Sequence, residues 1–289
     1  MIKDRNGNVL TADSEQEKTL SFLYSNSFGR IITKLLCRRF VSKLGRLYMC
    51  SPLSKRRIKK LVSKHNINMD DYIVEDWRSF NQFFIRKIKE GRRSIDQTKA
   101  HAISPADSKL TVYDIGEDSV YKIKGCDYSV VQLLGGDREL AKHFFGGKCF
   151  IYRLTVDNYH RYCYPDNCVE LEHRFIPGVL HTVNPIATSR YDVYGKNCRE
   201  LTILETESFG TVAYIEVGAM MVGQINNRHP EQPVARGDEK GYFSFGGSTI
   251  ILLYKKDAVV PDGDIAANSL TETETAVLMG EKTGVKAGG

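Results

Sequence analysis

The sequence predicts an α+β protein, with basic amphipathic N-terminal helices followed by a mainly antiparallel β-sandwich or barrel-like domain. Three observations carry this. Phe28, Ile31, Ile32, Leu35, Leu36, Phe40, Leu44 and Leu47 recur at three- and four-residue spacing, with Lys34, Arg38 and Lys43 between them. That is the period of a helix with one apolar face. From Arg30 to Lys64 there are twelve Lys or Arg residues and no Asp or Glu. After Asp96 the pattern changes to short apolar-polar alternations separated by turn residues, which is how half-buried strands read.

In chain order, residues 1–15 are polar, carry a turn at Arg5-Asn6-Gly7-Asn8, and are expected to be loosely ordered. The helical period runs from Glu15 to about Lys64 with a break near Ser51-Pro52. Asp70 to Lys89 is expected as a further helix, with Trp77, Phe80, Phe83, Phe84 and Ile88 at core spacing and Gly91 as its C-cap. Strands are expected over Lys109–Tyr113, Ser119–Ile123, Lys148–Leu154, Val169–Ile176, Leu201–Glu205, Thr211–Val217 and Met220–Ile225. A short helix near Val130–Leu134 or Arg138–Phe145 interrupts them. The stretch Gly241–Tyr254 reads as two more strands, Tyr242–Phe245 and Ile250–Leu253, around Gly246-Gly247-Ser248-Thr249. From Pro261 the chain is Thr, Glu, Gly and Lys with few large apolar residues, the composition of a solvated tail. The expected regions are therefore 1–95 (helical, on a membrane surface), 96–260 (β-rich, catalytic) and 261–289 (polar tail).

A chain of 289 residues with 42% hydrophobic content can bury a full core. Its seven cysteines are odd in number and scattered, which favours reduced thiols. The first residues hold no apolar signal core, and no run reaches the roughly 20 apolar residues that cross a bilayer. The basic segment has two readings. It is a helix packing on the domain with a solvated face, or a surface lying on anionic lipid, where each basic side chain adds roughly 1 kcal/mol. Nucleic acid is not expected, since no binding motif or interleaved stacking aromatics accompany the charge.

Chemistry concentrates in few places. Two glycines inside a strand pattern mark a bend or a close backbone approach. The Ser248 hydroxyl directly follows Gly247, a residue with no Cβ to block attack on its carbonyl. A glycine hairpin with an incidental Ser-Thr is the plainer reading. Asp107 lies in the turn Ser104-Pro105-Ala106-Asp107-Ser108, His160 in Tyr159-His160-Arg161, and His181 in a turn-rich segment before Val183-Asn184-Pro185. Each alone reads equally as a turn-capping or packing residue.

Together with Ser79-Phe80-Asn81-Gln82-Phe83-Phe84-Ile85-Arg86, Val217-Gly218-Ala219 and Gly246-Gly247-Ser248-Thr249, these motifs resemble the phosphatidylserine decarboxylases. That family is pyruvoyl-dependent and self-cleaving, and the motifs stand in its order from about residue 75 to 256. The resemblance implies cleavage between Gly247 and Ser248, giving chains 1–247 and 248–289 that stay associated. Ser248 would become a covalent pyruvoyl group, the family's cofactor, which forms a Schiff base with the serine headgroup. It also implies an Asp107–histidine pair as the base, a phosphatidylserine substrate, a homodimer, and a peripheral place on the cytoplasmic face of the cell membrane.

Two departures matter. Many relatives carry a second histidine where this chain has Cys163, so His160 is the expected base, with His181 as substitute or helper. The tripeptide before the threonine is Gly246-Gly247-Ser248 where relatives often have Leu-Gly-Ser. Alternatives are a pyruvoyl decarboxylase of a soluble amino acid and a non-catalytic adaptor on a membrane surface. A zinc cluster of His160, Cys163, Cys168 and His173 is weighed and set aside, because a strand from Val169 would send alternate residues to opposite faces. No metal is expected.

Overall fold

The structure is a computed structural model that describes residues 1–10, 22, 33, 39–116, 120–123, 126–189, 192–219, 224–245 and 248–288. The 15–38 part of the expected helix apart from residues 22 and 33, the Gly246-Gly247 pair and most of the Met220–Ile225 strand lie outside those residues.

The chain opens with strands β1 (Ile2–Lys3) and β2 (Val9–Leu10), then helices α1 (Arg39–Cys50), α2 (Arg56–Lys64) and α3 (Phe80–Phe84). Next come β3 (His101–Ile103), β4 (Ser108–Asp114), β5 (Val120–Ile123), β6 (Cys126–Ser129), α4 (Val130–Leu133) and α5 (Arg138–Lys142). Strands β7 (Lys148–Leu154), β8 (Arg161–Cys163) and β9 (Cys168–Ile176) lead to short helices α6 (Pro185–Thr188) and α7 (Val193–Lys196). Then follow β10 (Arg199–Thr206), β11 (Gly210–Val217), β12 (Ile225–Asn227), β13 (Glu239–Phe243) and β14 (Ser248–Tyr254). The chain closes with β15 (Val259–Pro261), α8 (Gly263–Leu270), β16 (Glu274–Val277) and β17 (Lys282–Lys286).

Nine strands form an open sheet in the order β2-β1-β16-β4-β7-β14-β11-β10-β9. Only β1–β16 pairs in parallel. Strand β14 lies inside this sheet between β7 and β11, and all seven of its residues are buried. Its sequence, Ser-Thr-Ile-Ile-Leu-Leu-Tyr, is a continuous apolar run after two hydroxyls, as befits a strand covered on both faces. One cover is the three-stranded sheet β12-β13-β8. There the Tyr214 hydroxyl donates to Cys163 O (3.3 Å) and Lys240 Nζ to Glu216 Oε1 (2.7 Å). The expected mixed α+β architecture with facing antiparallel layers is present, and the large sheet does not close into a barrel.

The two strands expected around the glycine pair fall in different layers, β13 in the covering sheet and β14 in the large one. Ser248 and Thr249 begin the buried strand and do not form a turn.

Three expectations are corrected. Asp70–Lys89 is not one helix. Ile73 N–H donates to Lys87 O (2.9 Å) and Tyr72 bridges Ile88, so the segment runs out and back in extended form. Helix α3 starts only at Phe80, because Ser79 caps it by accepting from Gln82 N–H. The aromatic spacing was a true core signal: Phe80, Phe83 and Phe84 are buried. Of the first fifteen residues, 1–10 are described and are ordered, with Arg5 bound to Asp262 (2.8 Å) and Asp264 (2.6 Å). The polar tail is also folded: β16 enters the large sheet and β17 pairs β3 and β15. Thr275 and Thr283 are fully buried with bonded hydroxyls, accepting from Asn268 and donating to Ala102 O. Threonine fits a strand and can be buried once its hydroxyl is satisfied, so polarity alone misread this segment.

Arg153 and Glu274 form a buried bidentate pair (2.6 and 2.5 Å) between β7 and the start of β16. Glu274→Gln leaves a buried guanidinium short of its counter-charge and should lower unfolding free energy by about 3 kcal/mol. Chemical denaturation, with Glu274→Gln and Arg153→Met compared, checks this.

Candidate active site

Strand alternation puts Ser248, Ile250 and Leu252 on one side of the large sheet and Thr249 and Ile251 on the other. Ile250 and Leu252 stand opposite Glu216 and Tyr214 of β11, the side covered by β8 and β13. Ser248 therefore shares its side with β8 and with His160, one residue before it. The Ser248 hydroxyl is completely buried and has no hydrogen-bond partner among the described residues.

His160 is also completely buried. Its Nδ1 lies 2.9 Å from Asn158 O. A carbonyl can only accept, so Nδ1 carries the proton and Nε2 presents its lone pair. That Nε2 has no partner among the described residues. Burial pushes the imidazole down to about 3, and the Arg86 cation pushes the same way. His160 is thus a neutral imidazole at neutral pH, held by its own chain turn at Asn158 and by the ring of Phe84, 3.9 Å away. Phe84 in turn packs on Phe80 and Phe245, and Phe245 N–H donates to Asn81 Oδ1 (2.9 Å). The aromatic cluster of α3 therefore clamps both His160 and the chain just before Gly246.

Asp107 does not join His160. Both its oxygens are taken by Arg93 (2.9 and 2.6 Å), and Met279 N–H donates to it at 2.9 Å. The expected Asp107–His160 pair is replaced by the Asn158 carbonyl as orienter. Asp107 instead lies near Cys163, whose N–H donates to Pro105 O (2.9 Å). Burial, with Asp238 and Asp107 adding to it, pushes the Cys163 thiol up to about 12, so no thiolate base is offered there.

His181 precedes a segment that lines the other side of the sheet. Its backbone is held by Asn197, which accepts from His181 N–H (2.9 Å) and donates to His181 O (2.8 Å). Val183 and Pro185, just beyond it, line a cleft with Arg153 and Tyr194 on the Thr249 side. Burial lowers the affinity of His181 for a proton, with Lys196 acting in the same direction.

The chain matches the family model described as phosphatidylserine decarboxylase over residues 80–285. The chain belongs to the phosphatidylserine decarboxylase family. Its relatives include phosphatidylserine decarboxylase proenzyme 2 of Clostridium acetobutylicum, 45% identical over 92% of this chain and 91% of the relative. The phosphatidylserine decarboxylase proenzymes of Clostridium kluyveri and Fusobacterium nucleatum are 39% and 38% identical over 99% and 98% of this chain, and 99% and 96% of their own lengths. The family is one of carboxy-lyases, and these relatives are named as proenzymes.

Within this decarboxylase fold, the sequence reading missed Asn158, Arg93 and Met279 as partners of the motif residues. Asn158 was legible in principle, two positions before His160, but the contribution is a backbone carbonyl, which any residue type carries. Arg93 and Met279 reach Asp107 through tertiary contacts that no local pattern encodes. The zinc quartet does not assemble. Among the described residues the metal-type group with mutually close ligand atoms is Glu170, His173 and His229, within 4.8 Å. There His229 is already engaged by Glu170 (2.8 Å) and Glu200 (2.7 Å).

Proposed function

We propose that the chain is the proenzyme of a phosphatidylserine decarboxylase that cuts itself between Gly247 and Ser248, with Ser248 as nucleophile and His160 as base. The observation that carries this reading is the pair of buried, unpartnered atoms Ser248 Oγ and His160 Nε2 on one side of the sheet. One is a hydroxyl with a proton to lose, the other a lone pair able to take it. An unsatisfied buried polar group costs about 1–3 kcal/mol, and such groups mark reactive positions.

In the cut, Nε2 takes the Oγ proton as Oγ bonds to the Gly247 carbonyl carbon. The peptide C–N bond then breaks and its nitrogen receives the proton, leaving an ester and a free Ser248 amine. Loss of the Ser248 α-proton expels the Gly247 carboxylate by breaking Cβ–Oγ. The resulting enamine tautomerises to an imine, and water releases ammonia to leave a pyruvoyl ketone at position 248. A ketone there supplies an electron sink for a primary amine whose carboxylate departs as carbon dioxide.

The packing supports two chains that stay together. Segment 248–289 contributes β14, between β7 and β11, and β16, between β1 and β4. Asp107 is then a positioning residue, tying Met279 of that segment to the loop before β4.

The N-terminal helices support the lipid as substrate over a soluble amino acid. Helix α2 presents Arg56, Arg57, Lys59, Lys60 and Lys64 to the surface, and Leu44, Leu47 and Leu53 nearby are 51–62% exposed. Met49, Ile58 and Leu61 pack inward on Phe80, Phe84 and Phe245, so this surface is joined to the clamp around the site. Among the described residues no helix is long and apolar enough to cross a membrane; a peripheral position on the cytoplasmic face is the proposal. Purified protein should release carbon dioxide from phosphatidylserine vesicles and not from free serine. Replacing Arg56, Lys59 and Lys60 by Gln should weaken vesicle binding by on the order of 10²-fold, since each basic side chain contributes roughly 1 kcal/mol. High salt should weaken the wild type. Turnover of free serine with indifference to vesicles would overturn the lipid reading.

A further inference from the structure

We infer that Arg86 forms the floor of an anion site that takes the phosphodiester of the lipid headgroup, an inference that rests on the lipid reading above. Arg86 ends the motif that begins at Ser79 and is 2% exposed. Its guanidinium lies over the rings of Tyr72 (4.2 Å) and Phe83 (4.6 Å). Its hydrogen bonds are long, to the carbonyls of Phe83 and Asp157, both at 3.4 Å. Among the described residues its Nε has no partner and no carboxylate pairs with it.

The other buried arginines differ. Arg153, Arg161 and Arg236 each hold a carboxylate, at 2.5, 2.8 and 2.7 Å. Arg199 donates to the carbonyls of Leu133, Asn197 and Gln132. A buried cation without a counter-charge is costly and awaits one.

Arg86 lines a cleft of about 240 Å³ with Arg78, Lys87, Arg161 and Gln82. Glu75 and Asp76 share the cleft, but Asp76 is already paired with Lys55 (2.7 Å). An arginine with free N–H groups suits planar, forked contact with phosphate oxygens. The cleft adjoins the reactive residues: the Arg86 charge acts on His160, Arg161 follows His160 in the chain, and Phe84 touches it. Ile73 and Val74, which precede Glu75 of the cleft in the chain, are 41% and 66% exposed, and the Lys55–Asp76 pair joins the cleft to the basic surface of α2. A headgroup can enter from that surface and place its phosphate on Arg86 with its amino acid end toward His160 and position 248.

The test uses the mature enzyme and three probes: phosphatidylserine in mixed micelles, glycerophosphoserine and inorganic phosphate. Arg86→Gln should raise KM for the lipid about tenfold or more, the effect of losing a charged hydrogen bond, with a smaller change in kcat. Inhibition by glycerophosphoserine should weaken by the same factor, and Arg86→Lys should fall between. A purely structural Arg86 would lower the yield of folded protein and leave KM and the inhibition of the folded fraction unchanged; that result overturns the site. Should Arg86→Gln not fold, Arg86→Lys and the wild type decide. Failure of glycerophosphoserine to compete with the lipid overturns the proposal. Phosphate binding without glycerophosphoserine binding overturns the lipid source and leaves a free-phosphate site. If the wild type does not decarboxylate the lipid, calorimetric titration still reads the site. Phosphate binding lost in Arg86→Gln upholds the anion site while the lipid reading falls, and no binding at all ends both.

Discussion

Ser248→Ala should remain one uncut chain of 289 residues, lack any ketone, and lose decarboxylation by at least about 10³-fold. The wild type should show two chains by intact mass, 1–247 and 248–289, the second beginning with pyruvoyl. The physical interest lies in what the substitution leaves alone. It deletes one oxygen that is buried and unpartnered, so no hydrogen bond of the described residues is lost. Removing an unsatisfied buried hydroxyl is close to neutral or stabilising. The variant should therefore unfold at a midpoint equal to or above that of the uncut wild type, an outcome that separates lost chemistry from lost fold. The two wild-type chains should part only in denaturant, because β14 and β16 each lie between two strands of 1–247. An uncut wild type that still decarboxylates phosphatidylserine would sink the mechanism.

His160→Ala should slow the appearance of the short chain by about 10²–10⁴-fold, the usual worth of a positioned base. Cys163→Ser and His181→Ala should cut normally, the first because burial keeps the thiol protonated, the second because Asn197 holds its backbone and the chain just beyond it, at Val183 and Pro185, lines a cleft on the Thr249 side. His160 also sets a pH signature. Its folded affinity for protons is far below the free value of 6.5, at about 3, so it stays neutral across the ordinary titration range. The cutting rate should show no inflection from His160 between about pH 5 and pH 8. Stability behaves differently: as pH falls from 6.5 towards 3, the unfolded chain binds a proton at this position and the folded chain does not. Stability contributed by His160 is thus present above 6.5 and lost progressively below it. His160→Gln should flatten that part of the stability curve. Normal cutting by His160→Ala, with loss in His181→Ala, would reverse the assignment.

Much of the fold was legible because its signals are local. Period-two alternation marked β4, β7, β10 and β11 to within a residue or two, and the apolar run Ile250–Leu253 marked a strand, whose burial on both faces only the sheet order shows. The helix at Arg56–Lys64 and the break at Ser51-Pro52 followed from periodicity and proline. What misled was composition taken as burial. The threonine-rich end of the chain is woven into two sheets, and the aromatic spacing from Trp77 to Ile88 marks packing without a continuous helix.

The sequence by itself determined the residue types of the proposed cleavage bond, a hydroxyl after a glycine, and the histidines proposed to serve it, since these are properties of side chains in local motifs. Only the tertiary structure decided which groups meet. Strand register assigns Ser248 to the side covered by β8, which His160 precedes, while Val183 and Pro185 beyond His181 line a cleft on the Thr249 side. A backbone carbonyl, invisible to residue identity, fixes the His160 tautomer. Asp107 is drawn to Arg93 because a buried carboxylate pairs with the nearest cation, and nearness in space is what a linear motif does not carry.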